Sequence, residues 1–268
     1  MMAQTQTQAQ AQPAPVLEIR EMTQRFGGLT AVNNFNVKLE KNQLTGLIGP
    51  NGAGKTTVFN LVSGFYQPSE GRIFVNGKPT AGLKPHKVTS LGVARTFQNI
   101  RLWNDMTVLD NIRVAQHYWL GYGFFHSVFR SKHYLRREAE IAAEAEELLE
   151  VFNLQRFAGE LPKNLPYGIQ RKLEIARALS THPKLLLLDE PAAGLNSADI
   201  HELIRLIRWI HERFDVSIWM IEHHMDVVME LCSQIKVVDF GQTIAEGTPD
   251  EIRNHPAVIT AYLGDDKI

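Results

Sequence analysis

Residues Gly49–Thr57 fit the pattern of a phosphate-binding loop, G-x-x-x-x-G-K-[ST], at every required position. The glycines let successive backbone N–H groups wrap a phosphate, while Lys55 offers a positive charge to its oxygens and Thr56 offers a hydroxyl to Mg²⁺. The preceding Leu44–Ile48 is typical of a short buried strand, and Thr57–Val62 of a helix whose N-terminus faces the phosphates. The loop predicts a nucleotide site, but it does not separate GTPases, small-molecule kinases, helicases and transport ATPases.

Two adjacent carboxylates, Asp189 and Glu190, follow the apolar run Leu185–Leu188. Structural carboxylates are uncommon at the tip of a buried strand. Asp189 is suited to hold the Mg²⁺ shell through water, and Glu190 to polarise the water that attacks a γ-phosphate. The alternative is that the two residues only cap the helix that follows.

Two histidines follow the next apolar run, Val216–Ile221. If that strand stops at Ile221, His223 is the better placed to reach a γ-phosphate at the same edge of the sheet, and His224 is expected on the surface. Adjacent histidines can also bind a transition metal, but consecutive side chains diverge, and no cysteine or third histidine lies at ligand spacing. The pattern therefore favours a phosphate contact over a metal site.

The elements that would position these residues follow from local patterns. Val16–Met22 and Phe35–Leu39 alternate like strands, and Gly71–Pro79 contains the Asn-Gly pair of a tight hairpin, so an antiparallel sheet is expected beside the loop. The two later apolar runs are separated by a helical stretch, Ala198–Phe214. That alternation predicts a parallel sheet with crossover helices.

Helical periodicity from Val108 to about Leu154 predicts an inserted helical subdomain. Its apolar face is expected to comprise Leu135, Ala139, Ala142, Ala145, Leu148, Leu149 and Phe152. The aromatic segment His117–Phe125 is expected to pack within this subdomain, with contact to a membrane or a membrane subunit as the alternative. A further amphipathic helix is predicted at Arg171–Leu179, after Leu165–Gln170.

The two ends of the chain differ in character. Met1–Pro15 is rich in Ala, Gln, Thr and Pro and has neither a cationic start nor an apolar core, so it predicts a disordered tail and not a secretory signal. Near the other end, Thr248, Pro249 and Glu251 predict the start of a short helix that Pro256 interrupts.

Composition excludes several classes of protein. The 268 residues carry a formal net charge of −1, so no global basic field favours nucleic acid. No apolar run approaches the ~20 residues that cross a bilayer, so a membrane role would be peripheral. The single cysteine, Cys232, is expected to be a small buried hydrophobe, as is typical of a reducing compartment.

Five motifs in a fixed order carry a family resemblance. They are the phosphate loop, Gln98, Leu165–Gln170, Asp189 with Glu190 and the following Ala193–Asn196, and His223. In this order they resemble the ATP-binding subunit of ATP-binding cassette (ABC) transporters, and the resemblance extends from Val16 to the end. It implies an α/β fold, in which a P-loop NTPase core carries an antiparallel β subdomain and an inserted α-helical subdomain. It further implies one domain over 16–268, with the helical subdomain at about 100–180 and family-specific helices at about 248–264.

The same resemblance implies ATP and Mg²⁺ as cofactors and assigns residues to them. ATP would be held by Phe26, stacked on adenine, and by Gly49, Asn51, Gly52, Ala53, Gly54, Lys55, Thr56 and Thr57. Hydrolysis would involve Lys55, Gln98 of the Q-loop, the base Glu190 and the switch histidine His223. Mg²⁺ would lie at Thr56, Gln98 and Asp189. Tyr167, Gly168 and Gln170, in the position of the L-S-G-G-Q signature, would contact the ATP of a partner subunit in trans.

A closer resemblance is to the ATPases of branched-chain amino acid importers. The similarity lies in the segments Met106–Asn111, Glu190–Asn196, Ile221–His223 and Gly247–Gly264. The longer helical insert resembles that of one of the group's two ATPase subunits. The implied partners are a second ABC ATPase, as a heterodimer or homodimer, two integral membrane permeases and, indirectly, an extracytoplasmic substrate-binding protein, without nucleic acid. The implied location is peripheral, on the cytoplasmic face of a prokaryotic inner membrane.

The sequence leaves other functions open. Importers of urea, amides and aromatic acids have ATPases with much of the same sequence. A soluble ABC protein that acts on nucleic acid or the ribosome, or a regulatory module, is a second class, although such proteins usually carry two cassettes, a coiled-coil arm or a basic patch. A GTPase is less favoured because the chain has no N-K-x-D segment.

Pro166 departs from the family pattern, which has serine there. Proline has neither a hydroxyl nor an N–H, so it cannot make the serine's γ-phosphate contact. The hypothesis that follows is that the two composite ATP sites of the dimer are not equivalent.

Overall fold

The computed structural model describes residues 14–116 and 132–263. The predicted tail lies almost wholly outside these residues, and the aromatic segment His117–Phe125 lies outside them completely. The strands are β1 (Leu17–Phe26), β2 (Leu29–Leu39), β3 (Leu44–Ile48), β4 (Glu70–Val75), β5 (Lys78–Pro79), β6 (Val93–Arg95), β7 (Leu185–Asp189), β8 (Ser217–Ile221), β9 (Gln234–Asp239) and β10 (Gln242–Gly247). The helices are α1 (Lys55–Val62), α2 (Pro85–Thr89), α3 (Val108–Gln116), α4 (Lys132–Val151), α5 (Tyr167–Leu179), α6 (Ser197–Arg213), α7 (Met225–Leu231), α8 (Pro249–Arg253) and α9 (Pro256–Leu263).

The predicted antiparallel sheet is present, with strand order β2-β1-β4-β5. Its β4–β5 hairpin turns through Asn76 and Gly77, whose φ angles of 48° and 73° are those of a primed turn. That geometry matches the strand twist, so the Asn-Gly prediction is confirmed.

The second sheet has the order β10-β9-β3-β8-β7-β6 and is parallel except for β10. The strands β3, β7 and β8 confirm the predictions from apolar runs, whereas β6, β9 and β10 were not predicted. β6 is three residues long. β9 includes Lys236, which is buried and bonded to Glu246, and this charge breaks the apolar pattern of the strand.

Alternate residues of the parallel strands enter two separate cores. Leu187 and Trp219 lie in the core beneath the antiparallel sheet, while Leu186 and Leu188 lie in the core beneath the helices. Because both faces of the sheet are covered, its central strands β3, β7 and β8 are buried throughout and mostly apolar. Their carboxyl ends meet at one edge, where the loops that carry the candidate residues begin.

The helical subdomain corrects one part of the predicted apolar face. Ala145, Leu148, Leu149 and Phe152 are buried as expected, but Leu135 is 54% exposed and Ala139 is also exposed. The first turns of α4 carry charged side chains that bind each other at the surface, such as Arg136 with Glu140. The buried face of α4 therefore begins only at Ile141.

The first C-terminal helix, α8, begins as predicted, since Thr248 and Glu251 form a capping box, and at Pro256 a second helix, α9, begins. Cys232 is buried, as expected, and burial raises the pKa of its thiol. Within the described residues, no helix has both the length and the apolar character that a membrane crossing requires.

Candidate active site

The phosphate loop joins β3 to α1, and its neighbours leave room only for glycine at two positions. A Cβ on Gly49, where φ is 150°, would lie 1.9 Å from the Val238 carbonyl oxygen, and one on Gly54, where φ is 101°, would lie 2.4 Å from that of Ala31. The loop is also tied to the β9–β10 turn, because the N–H of Gly241 donates to the Ala53 carbonyl over 3.0 Å. Its shape is thus set by the packing of β2 and β9 around it.

Lys55, the first residue of α1, directs its charge back over the loop. The side chain is buried, and Nζ donates to the carbonyls of Gly49 and Pro50 over 2.7 and 2.8 Å. Burial lowers the pKa of Lys55, while the charges of Glu190 and Asp189 oppose that shift. The ammonium group is therefore held in place on the side where phosphates would bind.

A cavity of about 470 Å³ opens above the loop, within the usual range for small-molecule sites. Residues expected to hold ATP line it, together with the two expected at the γ-phosphate: Phe26, Asn51, Gly52, Ala53, Gly54, Lys55, Thr56, Thr57, Glu190 and His223. Phe26 is 42% exposed at the rim, and the Tyr66 ring meets it edge-on with 5.3 Å between centroids. The fold thus brings the aromatic side chain, the loop and the acid–histidine pair to one cavity.

Glu190 is held between two of the expected catalytic residues. Its Oε1 lies 3.0 Å from Nε2 of His223, and its Oε2 accepts from Nε2 of Gln98 over 2.7 Å. The backbone of Glu190 has φ of 47°, a left-handed conformation that is costly for a residue with a long side chain. Such strain persists where the surroundings determine it, often at functional sites.

Asp189 lies beside this arrangement in an adjoining cavity of about 360 Å³, which Thr56 and Gln98 also line. Asp189 is buried, and its Oδ2 accepts from Nη2 of Arg95 over 2.6 Å, an ion pair between two buried side chains. Thr56 lines both cavities, so the three residues expected at Mg²⁺ lie next to the expected nucleotide cavity.

The residues in the signature position line neither of these cavities. Gly168 faces a separate cavity of about 270 Å³ between α5 and α6, and Gln170 donates its amide to the Leu165 carbonyl over 2.9 Å. Tyr167 is 41% exposed and lies beside Gly194. The chain therefore does not bring Tyr167, Gly168 and Gln170 to its own phosphate loop.

Arg95, Glu222 and Phe240 are among the residues near the site that were not assigned from the sequence. Arg95 holds Asp189, and the buried Glu222 accepts backbone N–H groups from Ala192 at 2.7 Å and from His223 at 2.7 Å. Phe240, 87% exposed, lines the rim of the larger cavity. Arg95 and Glu222 could have been found from the sequence, because each is a charged residue at the end of an apolar run. No sequence pattern marks Phe240 as a residue of the site.

The described residues hold no group of three or more His, Cys, Asp or Glu side chains that could bind a metal ion by themselves. His224 is exposed at the N-terminus of α7 and does not line the site. A cation here would need further ligands, such as phosphate oxygens and water, which is how Mg²⁺ is usually bound beside nucleotides.

Family models, curated relatives and solved structures that match this chain describe ATP-binding cassettes of transporters. A family model described as ABC transporter matches residues 32–193, and one described as branched-chain amino acid ATP-binding cassette transporter matches residues 242–268. The chain is 47% identical over 251 residues to the high-affinity branched-chain amino acid transport ATP-binding protein BraF of Pseudomonas aeruginosa, covering 94% of this chain and 98% of the relative. It is 45% identical to LivG of Escherichia coli K12, a protein of the same description, with the same coverage. Among solved structures, the ADP conformation of MJ1267, an ATP-binding cassette of an ABC transporter, superposes with a TM-score of 0.80 at 29% identity, covering 94% of this chain and 99% of the other.

Proposed function

The chain belongs to the ABC transporter family, in the group of branched-chain amino acid transport ATP-binding proteins, and on this premise we propose that it hydrolyses ATP to power the import of branched-chain amino acids. The observation that carries the proposal is the Gln98–Glu190–His223 arrangement at the mouth of the phosphate-loop cavity. The identity of 47% over most of the chain supports the choice of cargo class.

The residues present fit ATP. The glycines of the loop present backbone N–H groups, and Lys55 is held where it can pair with phosphate oxygens. Phe26 offers an aromatic face at the rim, about where a base joined to those phosphates would extend. These groups would bind and orient the nucleotide, with its terminal phosphate near Glu190.

The residues beside Asp189 also fit Mg²⁺, whose preferred ligands are oxygens. Thr56 would supply a hydroxyl, Asp189 a carboxylate, and Gln98, whose amide nitrogen donates to Glu190, its amide oxygen. When bound, the ion would neutralise charge on the phosphate oxygens. Asp189 keeps its side chain in place through Arg95.

Glu190 is the group proposed to accept a proton from the attacking water. Gln98 and His223 occupy its two oxygens from opposite sides, which fixes the carboxylate plane. His223 also lines the cavity and can donate to the γ-phosphate. The buried Glu222 carboxylate accepts from the backbone N–H groups of His223 and Ala192. It therefore joins the segment that carries His223 to the loop that follows Glu190.

We place the chain in an assembly with a second ABC ATPase, two membrane permeases and an extracytoplasmic binding protein, on the cytoplasmic face of the inner membrane. The separation of Tyr167, Gly168 and Gln170 from the chain's own phosphate loop supports their contact with the partner's ATP.

Uptake of radiolabelled leucine, isoleucine and valine tests the proposal in cells that lack only this gene. The parent gene should restore uptake, and unlabelled urea, short amides or aromatic acids in excess should compete poorly. Restored uptake of one of those compounds in place of the amino acids would assign the ATPase to another importer. Co-purification with RNA or ribosomes, and with no membrane protein, would contradict transport altogether.

A further inference from the structure

An ion pair that belongs to none of the family motifs is buried in α5. Arg171 Nη1 donates to Glu174 Oε2 over 2.8 Å, and both side chains are 1% exposed. Burial raises the pKa of Glu174, and the Arg171 charge with the N–H groups of Arg101 and Phe97 opposes the rise. A buried pair of this kind is a weak source of stability, because desolvation offsets much of its attraction. A role for this ion pair is therefore better inferred from the groups that it contacts than from its contribution to stability.

The pair contacts the backbone on both sides of the Gln98 side chain. Arg171 donates to the carbonyls of Phe97 and Gln98 over 2.8 and 2.9 Å. Glu174 Oε1 accepts from the N–H groups of Phe97 and Arg101 at 3.3 and 3.2 Å. Four backbone groups of the segment 97–101 are thus fixed to α5, while the Gln98 amide extends the other way to Glu190.

The other end of the pair reaches the first turn of α5. Arg171 Nη2 donates to the hydroxyl of Tyr167 over 3.1 Å. The Tyr167 ring lies against Gly194, where a Cβ would come within 3.3 Å of the ring. Gly194 belongs to the loop that begins at Glu190. Contacts therefore run from Glu190 through Gln98, Arg171 and Tyr167 back to the chain segment of Glu190.

We propose that Arg171 and Glu174 are positioning residues that make the first turn of α5 and the segment 97–101 move as one body. Contact of the partner's ATP with Tyr167 and Gly168 then sets the position of Gln98 against Glu190 in this chain. This inference rests on the proposed function, since it requires an ATP sandwiched between two subunits. Arg171 and Glu174 thus couple ATP binding at one composite site to the catalytic geometry at the other.

The test replaces the pair with apolar residues of similar size, Arg171→Met with Glu174→Leu, in the complex with both ATPases and the permeases. Removing both charges leaves neither member of the pair as an unpaired buried ion, and Arg177, which Glu174 also faces, keeps its contact with the Trp103 ring. We expect turnover to fall at least about tenfold with KM for ATP changed less than about twofold. We also expect stimulation of turnover by loaded binding protein to be lost, and amide exchange in 97–101 to quicken.

The control is Arg136→Gln with Glu140→Gln, an exposed ion pair in the same subdomain, which should leave turnover and its stimulation unchanged. If the double replacement in α5 does not fold, Arg171→Lys provides the second variant, because it keeps a positive charge beside Glu174 and loses the planar fork that spans the Phe97 and Gln98 carbonyls. Normal turnover and stimulation in a folded variant would overturn the inference. Absence of stimulation in the parent complex would instead count against the proposed function.

Discussion

At the scale of a single residue, Glu190 is the proposed proton acceptor, and its neighbours hold it in position. Its two oxygens are occupied by Gln98 and His223, and its backbone is held at φ of 47° by the turn after β7, where its N–H donates to the Ile221 carbonyl. The conformational cost of such a residue is on the order of 1–3 kcal/mol. The surrounding contacts offset it, and they aim the carboxylate at the cavity.

Replacing His223 by alanine should lower kcat at least about tenfold, because Glu190 loses one partner and the γ-phosphate loses a donor. KM for ATP should change little, since the loop and Phe26 are intact. His224→Ala is the matched control, because its side chain is exposed and outside the site. Steady-state hydrolysis by the assembled complex measures both variants. Equal turnover of the two would remove His223 from the mechanism.

At the scale of elements, the phosphate loop is shaped by strands that are distant in sequence. Gly49 fits only because it passes under the Val238 carbonyl of β9, and Gly54 because it passes under the Ala31 carbonyl of β2. The glycines of the motif can be recognised from the sequence. The reason that each must be glycine becomes visible only once β2 and β9 are packed against the loop.

Gly49→Ala and Gly52→Ala should therefore differ strongly. A Cβ at Gly49 overlaps backbone that cannot move aside, so ATP affinity should fall at least about a hundredfold, the equivalent of ~3 kcal/mol. A Cβ at Gly52 meets no protein atom within 4 Å, and its φ of 81° costs the loop conformation on the order of 1–2 kcal/mol, so the loss of ATP affinity should be smaller. Titration with a fluorescent ATP analogue compares the two. A similar loss in both variants would show that packing by β9 does not shape the loop.

At the scale of the whole molecule, the sequence predicted the parts that local pattern determines. Three of the parallel strands, the hairpin at Asn76 and the capping box at Thr248 were recognisable because their signals lie within a few residues. The contacts of Arg171 with Phe97 and of Arg95 with Asp189 join residues 74 and 94 positions apart, and no periodicity reports them. Leu135 was misassigned because helical spacing does not reveal where the packing partner of a helix ends.

Pro166 provides a prediction about the assembled dimer. It is the N-cap of α5, with φ of −53° and ψ of 148° and no side-chain cap, and serine adopts this conformation readily. In the assembled complex, Pro166→Ser should raise ATP turnover several-fold, because a hydroxyl becomes available to the γ-phosphate at the partner's site. Pro166→Ala controls for the loss of the ring. If serine and alanine gave the same rate, the hypothesis of unequal sites would lose its basis.

The most direct test of the central claim is the hydrolysis rate of Glu190→Gln measured beside its affinity for ATP in the same complex. The substitution keeps the size of the side chain and leaves one oxygen to accept from Gln98, but it replaces the other oxygen by an NH₂ donor and removes the proton acceptor. We predict that turnover falls at least about a hundredfold while ATP binding is retained and a closed dimer accumulates. Hydrolysis at the parent rate would contradict the assignment of Glu190 as the base and, with it, the mechanism built on the Gln98–Glu190–His223 arrangement.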